Sequence, residues 1–317
     1  MHDYRIFDAH CDTLTTLRDS EFIKETDRHF NLKQAEEYAG YTQVMALWTD
    51  IGALRKQDSV DWKVERYVEI FNKIAAENPD FGIIKTGSDV TDSRFTHKLM
   101  LAIEGGEAIG TDISGVRRLY DMGVRAIALT WNTPYLISDT TCCKIPGHES
   151  GGLTEFGFKV VREMDRLGMV IDVSHISEKG FYDVADTTVN PFIASHSNAK
   201  ALTHHPRNLT DQQFEVLVRC GGVTGINLYS AFLTDDGSRA TIDTVVSHIE
   251  HFAALGGIDN IGIGTDFDGI DLPPEGISGA RDLYRILNRL GKMNYTQEQI
   301  EKISHKNMER VFTEVLK

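Results

Sequence analysis

GLTEFGFKVVREMDRLGMVIDVSH, spanning Gly152–His175, holds one complete helix-then-strand unit. Val160, Val161, Met164 and Leu167 recur at helical spacing and give one apolar stripe. Thr154 stands where a helix N-cap belongs, and Gly168 where a left-handed C-terminal residue stops the helix. Met169–Ser174 then forms a short, continuously apolar, β-rich run that ends at His175. Continuous apolarity suits a strand buried on both faces of a parallel sheet, whereas a half-exposed strand would alternate.

The same unit recurs outward in both directions. The runs Arg5–Ala9, Thr42–Trp48, Leu99–Ile103, Arg125–Thr130, Met169–Ser174, Pro191–Ser195, Gly222–Asn227 and Asn260–Thr265 all read as buried strands. Between them lie helical stripes such as Val64, Tyr67, Val68, Phe71 and Ile74, and Val245, Val246, Ile249, Phe252 and Ala253. Eight strands alternating with helices predict an α/β fold, a (β/α)8 TIM barrel with parallel strands, over residues 1–317 as a single domain. Gln297–Leu316 is expected to be a C-terminal closing helix on the barrel's outside. No G-x-G-x-x-G or P-loop follows the first strand, which argues against a nucleotide-binding sheet.

Composition is that of a globular protein, 41% hydrophobic and 25% charged, with a formal net charge of −14. That charge is unsuited to a phosphate backbone, so no nucleic-acid partner is expected. The four cysteines lack zinc-ribbon spacing, and no run is long and apolar enough to span a membrane. The opening MHDYRIFDAH lacks a signal-peptide pattern, so the cytoplasm is the expected compartment.

A barrel places its chemistry at the C-terminal strand ends. Those ends carry His10-Cys-Asp12, Glu104-Gly-Gly, Asp172-Val-Ser-His175, Ser195-His196 and Asp266-Phe-Asp268. His10 and Asp12, two apart on an extended segment, point the same way and can share one ion. Each residue has an ordinary explanation alone: a core histidine, a helix cap at Asp12, a helix-opening Glu104, turn formers at Asp266 and Asp268. Their coincidence at one rim does not, because clustered buried carboxylates are costly without a cation. His, Asp and Glu are the ligand set of zinc and similar ions. His148, in a Gly-rich stretch, is a weaker candidate over the mouth, while His204, His205, His248 and His251 read as loop or packing residues.

The ordered motifs DAHCD, AIEGGEAI, the Gly152–His175 stretch, IASHSNAK, HHPRNLTD and GTDFDG resemble the renal (membrane) dipeptidase family of zinc peptidases. The resemblance covers nearly the whole chain. It implies two Zn2+ ions, the first on His10 and Asp12, the second on His175 and His196, with Glu104 bridging both. It implies that a bridging hydroxide attacks the peptide bond of a dipeptide and that Asp266 handles the proton. Arg207 corresponds to the arginine that contacts the substrate, with Asn227 and Tyr229 lining the pocket; a homodimer is left open.

One position departs from the family pattern. Well-known members carry a histidine after the fourth strand, thought to polarise the scissile carbonyl, and in this chain Trp131 stands at or next to that position. An indole donates a hydrogen bond but does not exchange protons as imidazole does. The alternatives left open are a two-metal amidohydrolase acting on another small amide or lactam, and a metal-binding barrel without catalysis. A glycosidase using Glu104 and Asp266 would leave the three histidines unexplained.

Overall fold

The computed structural model describes residues 2–17, 23–49, 59–143, 145 and 148–317. Nine strands occur among them: β1 His2–Cys11, β2 Tyr38–Trp48, β3 Phe81–Ile83, β4 His97–Glu104, β5 Val124–Ala128, β6 Val170–Asp172, β7 Ile193–Ala194, β8 Val223–Ile226 and β9 Ile261–Ile263. All pair in parallel, in the order β2-β1-β9-β8-β7-β6-β5-β4-β3, and β2 also pairs with β4 from Tyr41↔His97 to Trp48↔Glu104. That last ladder closes a ring of eight strands, the (β/α)8 barrel expected from the sequence.

Each of the eight predicted runs overlaps one barrel strand. β3 was not expected. It pairs only with the first half of β4, Phe81↔His97 to Ile83↔Leu99, before β5 takes over at Leu101↔Val124. It lies outside the closed ring, and three residues are too short for periodicity to register.

The helical stripes bury as their spacing requires. Helix Val60–Glu77 buries Val64, Val68, Phe71 and Ile74. Helix Glu155–Leu167 starts where the Thr154 hydroxyl accepts from Gly157 N at 3.0 Å and stops at Gly168, whose φ is 72°. Each large apolar side chain so buried contributes about 1.5–3 kcal/mol.

The closing segment divides: Ile300 and Ile303 join the outer core as expected, whereas the helix Asn307–Val315 leaves the outer wall. Met308, Val311, Phe312 and Val315 join Phe7, Ala9, Val44, Met100, Ala102, Ala126 and Val170 in one buried cluster, separate from the outer core. Arg310 donates to the carbonyls of Gly221 at 2.7 Å and Asp259 at 3.0 Å, which precede β8 and β9. The helix therefore plugs the N-terminal mouth. Alanines 9, 102 and 126 leave space there that Phe312 fills, its ring 5.0 Å from that of Phe7. Chemistry is left to the opposite mouth.

Candidate metal centre

At the C-terminal mouth, five strand ends bring their acid and imidazole groups together. β1 ends at Cys11, and Asp12 opens the single turn Thr13–Thr16. The Asp12 side chain makes no cap hydrogen bond, so its carboxylate is left to the centre. Glu104 ends β4. Gly105, at φ 112°, turns the chain away, and a Cβ there would run into the Thr49 hydroxyl. His175 and Asp266 hold φ of 70° and 61° without being glycine. Such conformations cost on the order of 1–3 kcal/mol and cluster where a side chain must be aimed.

Among the described residues of these strand ends two groups of potential ligand atoms result, and a third set, His10, Asp172 and His196, overlaps both. In one, Glu104 Oε1 lies 2.9 Å from His175 Nε2 and 3.5 Å from His196 Nε2. In the other, His10 Nε2 lies 3.6 Å from Asp12 Oδ2 and 4.0 Å from Asp266 Oδ1. Glu104 Oε2, 3.8 Å from His10 Nε2, faces this second group, so one carboxylate addresses both. His10, Glu104 and His196 are buried, at 2%, 3% and 1% exposure.

The hydrogen bonds behind the imidazoles decide which nitrogen is free. His175 Nδ1 lies 3.0 Å from the Asn132 amide oxygen, which can only accept. His196 Nδ1 lies 2.7 Å from Ser195 Oγ, whose proton goes to Asp172 Oδ2 at 2.5 Å. Ser195 must then accept from His196. Both rings carry their proton on Nδ1 and turn a bare Nε2 lone pair inward.

The electrostatics ask for a cation. Burial, the largest cause in each case, raises the carboxyl pKa values of Asp12 and Glu104, and that of Asp266 to about 8. Burial lowers His175 and His196, with Arg207 and His10 adding to it. Burial would lower His10 as well, but Glu104, Asp12 and Asp266 outweigh it and raise it to about 10. His10 Nε2 and Asp12 Oδ1 are buried with no hydrogen-bond partner. Unsatisfied atoms of this kind cost about 1–3 kcal/mol each. An ion ligated by them removes the cost, so these residues fit divalent metal.

Around the centre lies a cavity of about 340 Å³ lined by Asp12, Trp48, Trp131, Tyr229, Phe232 and Asp266 among others. Asn227 donates to Asp266 Oδ2 at 2.8 Å and does not itself line that space. Arg207 lies just behind it, 4% exposed, donating to His196 O at 3.2 Å and leaving its Nε unpartnered. His148 is held away from the cavity by Asp139, 2.6 Å from its Nε2. His248 is packed inside, accepting from Ala199 N at 3.1 Å.

Sequence reasoning did not single out Trp48, Asn132, Ser195 or Phe232. Trp48 was legible in principle, since it ends a strand. Ser195 and Asn132 were not, because nothing in their spacing says which ring nitrogen they meet.

The fold is shared with relatives. The family model described as membrane dipeptidase (peptidase family M19) matches residues 1–317. An uncharacterized dipeptidase of Schizosaccharomyces pombe is 37% identical over 219 residues, 68% of this chain and 52% of its own length. The chain thus spans about half the length of that curated relative. A solved structure of dipeptidase AC, a metallo peptidase, superposes with a TM-score of 0.86 at 26% identity, covering 98% of both chains. A Rhodobacter sphaeroides metallo peptidase liganded with a phosphinate mimic of the dipeptide L-Ala-D-Ala gives 0.82 at 26% identity, covering 99% of both. No helix among the described residues is long and apolar enough to cross a membrane. With the motifs in order over the whole length, the chain belongs to the membrane dipeptidase family, peptidase family M19.

Proposed function

We propose that the protein is a binuclear zinc dipeptidase, hydrolysing the peptide bond of dipeptides. The observation that carries this is the shared carboxylate: Glu104 presents one oxygen to His175 and His196 and the other to His10. His10 and Asp12 would hold one ion, His175 and His196 the other, with Glu104 between them. A divalent pair so placed supplies an acidified water and polarises a carbonyl. The solved relative bound to a dipeptide mimic supports the substrate class.

The chain's own groups do the rest. Asp266 sits beside His10 with its second oxygen accepting from Asn227, an orientation suited to taking a proton and delivering it to the leaving amine. Arg207 is a buried cation with an idle Nε, suited to the free C-terminal carboxylate of a short substrate. A cavity of about 340 Å³ is at the small end for ligand sites, which favours dipeptides over longer chains. Asn227 orients Asp266, and Tyr229 lines the pocket.

The test is elemental analysis of the purified protein coupled to hydrolysis of L,L and L,D dipeptides. Two metals per chain with dipeptide cleavage are expected. Fewer than about one after loading, given ligands that should bind divalent ions tightly, sinks the reading.

A further inference from the structure

Strand order decides which groups face one another across the mouth. Around the ring, β2 and β5 flank β4, and β8 lies diametrically opposite β4. Trp48 ends β2 in register with Glu104, and Trp131 follows β5, whose Ala128 is the register partner of Glu104 on the other side. The two indoles therefore flank the shared carboxylate and meet edge-on, centroids 4.8 Å apart at 65°. Tyr229 and Phe232 come from the chain after β8. Arg207 follows β7, its guanidinium carbon 5.7 Å from the Phe232 ring.

We propose that Trp48 and Trp131 form the subsite for the side chain of the substrate's N-terminal residue, and that the preferred substrates are dipeptides beginning with a large apolar residue, aromatic ones above all. This rests on the dipeptidase reading, with Arg207 holding the C-terminal carboxylate. That carboxylate then lies on the β7–β8 side and the scissile carbonyl over Glu104 and the histidines. The N-terminal residue is left the β2–β5 side, where the wall is two indoles. A phenyl ring docks on such a wall edge-on or offset-stacked. A carboxylate side chain would be stripped of water against it. The Lys63 ammonium lies 5.0 Å from the Trp48 ring and would attract an acidic residue instead, so glutamate belongs in the test.

The experiment measures kcat/KM of the zinc-loaded full chain on Gly–Ala, Ala–Ala, Leu–Ala, Phe–Ala and Glu–Ala, and repeats it on Trp131→Leu and Trp48→Leu. Phe–Ala should exceed Gly–Ala by at least about tenfold, the scale of filling an apolar pocket. In either variant that ratio should fall to within about threefold, on the same scale. Best cleavage of Glu–Ala or Gly–Ala, or an unchanged ratio in both variants, overturns the inference. The wild-type profile decides alone if a variant does not fold. Cleavage without N-terminal preference overturns this inference only; no cleavage of any dipeptide overturns the dipeptidase reading and this with it.

Discussion

The Nε2 atoms of His175 and His196 stand 3.1 Å apart, and neither can donate to the other. Each ring has already committed its proton through Nδ1, to Asn132 and to Ser195. Two lone pairs so close repel unless a positive charge lies between them and Glu104. The arrangement is therefore one in which the partners behind the imidazoles do as much as the imidazoles themselves.

Ser195→Ala removes the acceptor that holds His196 in this tautomer. Metal affinity should fall about 10–100-fold, the usual effect of losing such a support. Competition against a chromophoric chelator measures it. Ser195→Thr keeps the hydroxyl and should recover most of the loss. Equal affinity in wild type and Ser195→Ala would show that Asp172 and Ser195 do not set the ligand.

Asp266→Asn keeps the size of the side chain and removes its basicity. Turnover should drop by at least about 10²-fold, the contribution of a general acid–base group. Metal content should stay near normal if His10, Asp12 and Glu104 suffice for that ion. Unchanged turnover rules out the proton-transfer role.

Arg207→Ala should raise KM for dipeptides by at least about tenfold, as expected for a buried charged contact. Lysine should not restore it, since a point charge lacks the planar fork. The informative comparison is a dipeptide against its C-terminal amide. Wild type should strongly prefer the free acid, and the variant should not. A preference that survives in the variant places the anchor elsewhere.

Acid stability should decline below neutrality for a reason remote from the metals. His248 is pushed down to about 4, chiefly by burial, and its Nδ1 must stay unprotonated to accept from Ala199 N. His305, also buried, is likewise pushed down to about 4. A folded-state value below the unfolded one means the unfolded chain takes up the proton first. Stability is thus fully present above about 6.5 and is lost as pH falls toward 4, by up to about 1.4 kcal/mol per unit for each group. Denaturant unfolding between pH 7 and 4 tests this. His248→Gln should flatten the slope, and an identical slope would refute the assignment.

Much of this was legible in the sequence because barrels put like things in like places. Continuous apolar runs marked all eight barrel strands, and the strand-end rule then led to His10, Asp12, Glu104, His175, His196 and Asp266 before any contact was known. Spacing failed where an element is short or its partner distant. β3 has three residues, and the C-terminal helix has the same amphipathic stripe whether it lies on the wall or plugs the end.

Local pattern was enough for the eightfold alternation, for the acidic and imidazole groups at the strand ends, and for placing Trp131 just beyond the fourth predicted run. Folding alone turns Glu104 toward both groups of potential ligand atoms, leaves His175 and His196 bare at Nε2, and brings Trp48 to Trp131 beside Glu104. The difference is one of range. Periodicity and strand ends are local properties of a chain, written within about ten residues of each other. Tautomers, shared carboxylates and facing aromatics depend on angstrom distances between strand ends far apart in sequence, which exist only once the ring has closed.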